Sequence, residues 1–120
     1  MSSRLTRNRS KAFKNQKGLC FYCNKPMWEE NIQEFSSRNG LTIKQAYRLR
    51  CTAEHLIARC DGGTDSSRNI VAACLRCNQS RHRTRKQAPS PTIYRKRVLK
   101  IMRKGGWHNQ AIHKLSASPA

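Results

Sequence analysis

Two pairs of cysteines with the spacing Cys-x-x-Cys constrain this chain more than any other feature. The pairs are Cys20/Cys23 and Cys74/Cys77. Within each pair, one tight turn lets both thiolates reach a single ion at about 2.3 Å, and two such turns complete a tetrahedron. We therefore predict that all four side chains hold one structural Zn²⁺.

The cysteines also allow other interpretations. A Cys-x-x-Cys pair is the spacing of redox motifs as well, and disulfides or plain buried cysteines are further alternatives. The two pairs lie far apart and no thioredoxin-like βαβ pattern surrounds either, which favours the metal. Cys51 and Cys60 have no partner pattern. We interpret them as small half-buried residues, with a second zinc site as the alternative.

The composition indicates a single small domain that needs such a staple. The chain has 120 residues, of which 37% are hydrophobic. An apolar core of this size is small, and small cores are usually reinforced by a metal or by disulfides.

The charge balance points to a polyanionic partner. Lys and Arg number 25 against 6 Asp and Glu, for a formal net charge of +19. Nucleic acid is the favoured partner, and an anionic membrane surface is the weaker alternative. No apolar run has membrane-spanning length and the N-terminus lacks the apolar centre of a signal peptide. We therefore expect a cytoplasmic protein associated with nucleic acid, in a compartment where thiols stay reduced.

The pattern along the chain predicts an α+β protein of four segments. Two helices are expected within Trp28–Arg50, broken by Ser36–Gly40 with Gly40 as a C-cap, and Thr42 caps the second. Two strands followed by a helix form a ββα unit, and a basic helix follows after the Pro-rich stop. The expected strands are Cys51–Ala58 and Asn69–Ala73, and the expected later helices are Asn78–Lys86 and Thr92–Lys104. The expected segments are a basic flexible arm (1–17), a central domain with a helical insertion (18–87), a basic helical extension (88–113) and a tail (114–120).

The segment between Cys51 and His82 carries a second motif. It contains the run Ala53-Glu54-His55-Leu56-Ile57-Ala58, a Gly62-Gly63 loop, Asn69-Ile70-Val71 and then Cys74-x-x-Cys77-Asn78. This order resembles the motif of HNH endonucleases, the ββα-metal or His-Me finger group, in a variety stapled by four cysteines. The resemblance covers about a quarter of the chain. It implies a small zinc-stabilised ββα-metal domain with additional flanking helices.

The resemblance also implies roles for individual side chains. His55 is the general base, Glu54 is a ligand of the catalytic ion, Asn69 positions the loop that follows the histidine, and Asn78 is the second ligand. Phosphodiester hydrolysis needs a base and a cation, and an unperturbed histidine titrates near 6.5. A carboxylate with an amide oxygen is a hard donor set that favours Mg²⁺ or Mn²⁺.

Periodicity alone does not explain how Glu54 and His55 would cooperate. Neighbours in an extended strand face opposite sides of the sheet. A twist or a bulge near the strand end would be needed to bring both toward one pocket.

Each of these residues also has a structural alternative. Glu54 and His55 could form a solvated ion pair, Asn69 a turn or cap, and Asn78 a helix N-cap. His82 lies one turn after Asn78 and is either an alternative ligand, a phosphate contact or a surface histidine. Five arginines near the motif are candidate nucleic-acid contacts: Arg59, Arg76, Arg81, Arg83 and Arg85.

The resemblance implies a metal-dependent endonuclease that hydrolyses DNA, with double-stranded DNA as the expected substrate. A non-catalytic, zinc-stapled nucleic-acid-binding module is the main rival. An accessory subunit of a larger nuclease assembly is the third possibility.

Overall fold

The expected α+β architecture is present in the computed structural model, which describes residues 3–83 and 87–116. A two-stranded antiparallel sheet lies among six helices of this described part. The helices are α1 (Arg4–Asn15), α2 (Ile32–Asn39), α3 (Ile43–Tyr47), α4 (Leu75–Arg81), α5 (Pro91–Arg103) and α6 (Gln110–His113); the strands are β1 (Cys51–His55) and β2 (Ile70–Cys74).

The ββα unit is built without irregularity. The strands pair in one register from Cys51 opposite Cys74 to His55 opposite Ile70. No bulge therefore lies between Glu54 and His55, contrary to one of the two expected ways of bringing them together. Strand β1 starts at Cys51 as predicted but ends at His55, and β2 lies one residue later than predicted, at Ile70–Cys74.

Helix α4 starts three residues earlier than predicted. Cys74 is its N-cap, and the Cys74 Sγ accepts a hydrogen bond from the Cys77 backbone N–H. Asn78 consequently lies one turn inside the helix rather than at its cap. His82 follows the last helical residue as the C-cap.

The helical insertion matches its predicted boundaries at two caps. Gly40 ends α2 with a positive φ of 64°, a conformation that glycine adopts without a Cβ clash. Thr42 and Gln45 form a capping box at the start of α3. The expected break at Ser36 is wrong, because Ser36 is a buried residue within α2. Within α3, Ala46 is buried, whereas Ile43 and Tyr47 are exposed.

The N-terminal segment differs from the predicted flexible arm. From Arg4 it forms α1, which is capped by Ser3 and packs against both strands. Gln16 then extends the sheet edge, because its side chain accepts from the Ala72 N–H and donates to the Ala72 carbonyl oxygen. This pairing fixes the helix end to the strand that carries the second cysteine pair.

The C-terminal segment closes the core. Helix α5 buries Tyr94 and Val98, and the short helix α6, which the sequence did not predict, buries Ile112 completely. Lys25, from the turn of the first cysteine pair, donates to the carbonyl oxygens of His113 and Leu115. The boundaries proposed for the four segments stay predictions.

Among the described residues, no helix combines the length and apolar character needed to cross a membrane.

Candidate metal centre and active site

The four paired cysteines converge on one point. Their Sγ atoms all lie within 4.8 Å of one another and all four residues are buried. The Cys23 and Cys74 Sγ atoms are 3.9 Å apart. Two thiolates on a tetrahedral Zn²⁺ are separated by about 3.8 Å, given a bond of about 2.3 Å. The cluster is therefore compatible with zinc both in its donors and in its dimensions.

Burial makes a cation necessary if all four thiols are to ionise. Burial opposes the ionisation of Cys20, yet hydrogen bonds from the neighbouring thiols hold its pKa well below the usual value. Burial and Cys20 raise the pKa of Cys74 and of Cys77. Ionisation of one thiol therefore makes ionisation of its neighbours less favourable, unless a bound metal ion compensates the negative charge.

Two side chains after α5 contact the cluster, although the sequence analysis did not identify them. The Trp107 Nε1–H donates to the Cys77 Sγ at 3.3 Å, and the His108 Nε2 lies 3.3 Å from the Cys23 Sγ. Burial lowers the pKa of His108 to about 4, so the ring is neutral near pH 7. Only the folded structure reveals these contacts, since no sequence spacing links Trp107 and His108 to the cysteines.

The two remaining cysteines do not share one environment. Cys51 is buried and Cys60 is exposed, so neither is half-buried as predicted. Within the ranges that the structure describes, the paired cysteines form the one group of metal-ligating side chains, without a second zinc cluster.

Glu54 is a buried carboxylate whose two oxygens have different partners. Its Oε2 accepts from the Tyr22 hydroxyl at 3.0 Å and lies 3.2 Å from the Arg81 Nη1. Its Oε1 lies 2.8 Å from the His82 Nε2. Burial and the Glu54 charge raise the pKa of Tyr22, so this hydroxyl remains a hydrogen-bond donor. Glu54 is thus anchored through one oxygen and faces His82 with the other.

His55 projects to a different set of partners from its neighbour. Its Nε2 lies 2.8 Å from the Asp65 Oδ1, and its side chain is 16% exposed. The hydrogen bond from His55 lowers the pKa of Asp65 most, and the hydrogen bonds from Arg59 lower it further. Slight desolvation opposes this shift. The histidine is therefore held by an ionised carboxylate from the following loop, a contact that the sequence analysis did not identify.

Asn69 ties that loop together. Its Oδ1 accepts from the Ile57 N–H at 2.8 Å, and its Nδ2 donates to the carbonyl oxygens of Ile57 and Thr64. These contacts tie the two ends of the loop between β1 and β2 to one side chain. The catalytic importance of this arrangement, which the family resemblance implies for Asn69, stays a prediction.

The structure brings His82, and not Asn78, to Glu54. The Asn78 Nδ2 donates to the Thr52 Oγ1 at 3.0 Å and to the Ala53 carbonyl oxygen at 3.2 Å. Helix α4 runs along β1, and one helical turn of about 5.4 Å spans between one and two strand residues. Asn78 therefore lies over the middle of β1, and His82 lies over Glu54.

The five candidate arginines do not share one environment. Arg81 is buried, and its guanidinium donates to the carbonyl oxygens of His55, Leu56 and Pro89, so the prediction that it contacts nucleic acid is wrong. Arg59 is exposed and paired with Asp65, whereas Arg76 stacks on Trp107. Arg83 is exposed. Arg85 lies outside the described residues.

A comparison with protein families agrees with this geometry. Residues 42–84 match the family described as HNH endonuclease. The matched range contains α3, both strands and α4, and with them every member of the Glu54 and His55 clusters except Tyr22. Residues 42–84 are therefore similar to an HNH domain, as the sequence motif indicated, and the four-cysteine cluster is compatible with the zinc-stapled variety. Neither a curated protein nor a solved structure matches the chain.

Proposed function

We propose that this protein is a metal-dependent endonuclease that hydrolyses phosphodiester bonds in DNA. One observation carries the proposal. The ββα unit places the Glu54 Oε1 against the His82 Nε2 at 2.8 Å, while His55, the next residue of β1, is held separately by Asp65. A buried carboxylate facing an imidazole beside a second, independently held histidine suits a divalent-ion site with its own base.

Glu54 and His82 are the proposed protein ligands of the catalytic ion, in place of the expected pair Glu54 and Asn78. Two adjacent ligands on an octahedral ion of this class lie about 3 Å apart, given bonds of about 2.1 Å. The observed 2.8 Å between the Glu54 Oε1 and the His82 Nε2 is close to that separation. Because imidazole suits transition metals better than Mg²⁺, we expect Mn²⁺ to support more activity than Mg²⁺.

His55 is the proposed general base. In its neutral form it removes a proton from the attacking water, whose oxygen bonds to the phosphorus as the bond to the 3′ oxygen breaks, and the 3′ oxygen takes a proton from a solvent water. This reaction leaves a 5′-phosphate and a 3′-hydroxyl. A bound divalent ion supplies positive charge to the phosphate and the leaving oxygen. Tyr22 and Arg81 hold the Glu54 carboxylate in place, and Asn69 fixes the loop after the base.

A groove between α3 and α4 is the proposed site of contact with the DNA backbone. Its volume is about 340 Å³ and its lining carries four cations and no acidic residue. Among the described residues, none of these four cations forms an ion pair with a carboxylate. Binding by such a surface is largely independent of sequence and weakens with salt. The groove is lined by Lys44, Tyr47, Arg48, Leu75, Arg76, Gln79 and Arg83.

Plasmid cleavage tests the proposed reaction. The natural chain is expected to cleave in Mn²⁺, and His55→Ala is expected to lose roughly 100- to 10,000-fold in rate with unchanged zinc content and melting temperature. His82→Ala should abolish the response to Mn²⁺ concentration, whereas Asn78→Ala, the matched change one turn earlier, should retain it. Undiminished cleavage by His55→Ala would remove this residue as the base.

Two other outcomes of this experiment would favour the alternative functions. If the natural chain binds duplex DNA but cleaves nothing with any divalent ion, the non-catalytic binding module is favoured. Cleavage that appears only after a partner protein is added would favour the accessory subunit.

The groove is tested by fluorescence anisotropy with a labelled duplex. The double change Arg48→Ala and Arg83→Ala removes two groove cations, and Lys96→Ala with Lys100→Ala removes two exposed cations from α5 as the matched control. The groove variant is expected to weaken binding and to reduce the slope of log affinity against log salt by about 2. Equal effects of the two variants would assign binding to overall charge instead.

A further inference from the structure

The loop between the two strands offers one ionised side chain to His55. The Asp65 Oδ1 lies 2.8 Å from the His55 Nε2. An ionised carboxylate is only an acceptor, so the proton of this hydrogen bond belongs to Nε2. In a neutral imidazole, Nδ1 is then the nitrogen that carries the free lone pair.

Asp65 is itself held at both its side chain and its backbone. The Arg59 Nη2 donates to both carboxylate oxygens, at 3.0 Å and 3.1 Å. The Asn8 Nδ2, on α1, donates to the Asp65 carbonyl oxygen at 2.7 Å. Asn69 fixes the preceding residue through the Thr64 carbonyl oxygen. The carboxylate therefore meets His55 from a loop that is held by its own residues Arg59 and Asn69 and by Asn8 of α1.

We propose that Asp65 is the positioning residue of His55, which holds the Nε2–H and leaves Nδ1 to accept the proton of the attacking water. The inference rests on the proposed nuclease function and adds to it a residue that the HNH pattern quoted above does not contain. Asp65 contacts neither water nor phosphate in this scheme. It acts by selecting one tautomer and one orientation of the ring.

The chain offers a matched control within the same loop. Asp61 is an exposed acid four residues before the half-buried Asp65, and it lies in the short helical turn Arg59–Asp61. Asp61→Ala removes the same charge at a similar distance in sequence, and no hydrogen bond between the Asp61 side chain and His55 occurs in the described part of the chain. A general loss of negative charge would affect both variants equally.

Steady-state cleavage and nitrogen NMR together test the inference. In Asp65→Ala we expect kcat to fall roughly 10- to 100-fold while KM for the DNA changes less than about twofold, because the base is present but misplaced. Asp61→Ala should match the natural chain. The ¹⁵N spectrum of the imidazole groups at pH 8 should show His55 with its proton on Nε2, and Asp65→Ala should shift this population toward the Nδ1–H tautomer. A spectrum of His55→Ala identifies the signals among the four histidines.

The outcomes separate this inference from the proposed function. A kcat of Asp65→Ala within twofold of the natural chain, or a His55 tautomer that Asp65→Ala does not alter, overturns the inference. If the natural chain cleaves no DNA, the nuclease proposal fails while the tautomer measurement still decides whether Asp65 holds the ring. Should Asp65→Ala fail to fold, Asp65→Asn keeps the shape of the side chain, removes its charge, and is expected to cause a smaller change in the same direction.

Discussion

The zinc cluster and the Glu54 cluster lie on the same ββα unit, yet they are built in opposite ways. The zinc cluster is closed, with four thiols at 3% exposure or less, and its sulfurs accept from backbone N–H groups and from Trp107. The Glu54 cluster (Glu54, Tyr22, Arg81 and His82) combines a buried carboxylate with a histidine side chain that is 33% exposed.

The contrast shows how one small unit divides stability from reactivity. A cation bound by four thiolates stabilises the fold directly, because an unfolded chain offers no such site. A buried carboxylate costs free energy unless hydrogen bonds and an opposite charge compensate it. Tyr22 and Arg81 provide that compensation here, so the Glu54 cluster depends on packing that the zinc cluster helps to hold.

Removal of zinc should therefore affect both clusters and give the largest effect. A chelator, or Cys23→Ser, is expected to unfold the domain, since structural zinc contributes on the order of 10 kcal/mol in small domains. Circular dichroism and thermal melting after verified metal loss measure this, with Cys60→Ser as the control for an exposed thiol. An unchanged melting curve in the zinc-free protein would show that the cysteine cluster is not the staple.

Loss of Arg81 should be the most damaging change at the Glu54 cluster. Arg81→Met leaves a buried carboxylate without its guanidinium and three carbonyl oxygens without their donor. We expect a loss of about 3–5 kcal/mol in the free energy of unfolding, measured by denaturant titration. Arg83→Met, two residues later and exposed, should cost less than about 0.5 kcal/mol. Equal costs would mean that the Arg81 contacts do not compensate Glu54.

A pair of tryptophans separates general packing from support of the zinc cluster. Trp107→Phe removes the N–H donor to the Cys77 Sγ, and Trp28→Phe removes a donor to the Ala46 carbonyl oxygen. Each should cost about 1 kcal/mol of stability. Only Trp107→Phe should speed the transfer of zinc to a coloured chelator, by a few fold. Equal transfer rates in the two variants would contradict a role of Trp107 at the metal.

The smallest expected effect concerns the two unpaired cysteines, where alkylation measures how far each thiol is buried. Burial raises the pKa of Cys51 to about 12, so its thiolate is about 1 in 10,000 of the population at pH 8. Iodoacetamide should therefore label Cys60 and spare Cys51, as mass spectrometry of the zinc-loaded protein can measure. Because the unfolded pKa is lower, near 8.5, the contribution of Cys51 to stability is complete below that pH and is lost as the pH rises toward 12. Labelling of Cys51 at a rate like that of Cys60 would show that β1 opens readily.

The features that local spacing controls were predictable from the sequence. The two cysteine turns, the Gly40 and Thr42 caps and the order of two strands and a helix all depend on residues a few positions apart. The packed helix α1 was not predictable, because its polar and basic sequence resembles a solvated arm. Its docking depends on Gln16 meeting Ala72, which is 56 residues away.

Within the candidate site, the sequence nominated Glu54, His55 and Asn69, and it favoured Asn78 over His82 as the second ligand. Asn78 lies within α4 and His82 is its C-cap, so which of them meets Glu54 depends on where the helix starts and on its position along β1. The position of α4 also explains why the Arg81 side chain is buried, although its basic neighbours in the sequence suggested a surface position. Tyr22 and Asp65 have no spacing signal at all, because their contacts with Glu54 and His55 arise only when separate segments pack together.

The sequence by itself determined which donors this protein has: thiolates in two tight turns, an acidic residue beside a histidine, and an excess of positive charge. These follow from residue type and short spacing, which no packing can change. The tertiary structure alone decided which donors meet, because the register of β1 with β2 and the position of α4 along β1 set contacts between residues far apart in the chain. It placed His82 on Glu54, Asp65 on His55 and Trp107 on the cysteine cluster.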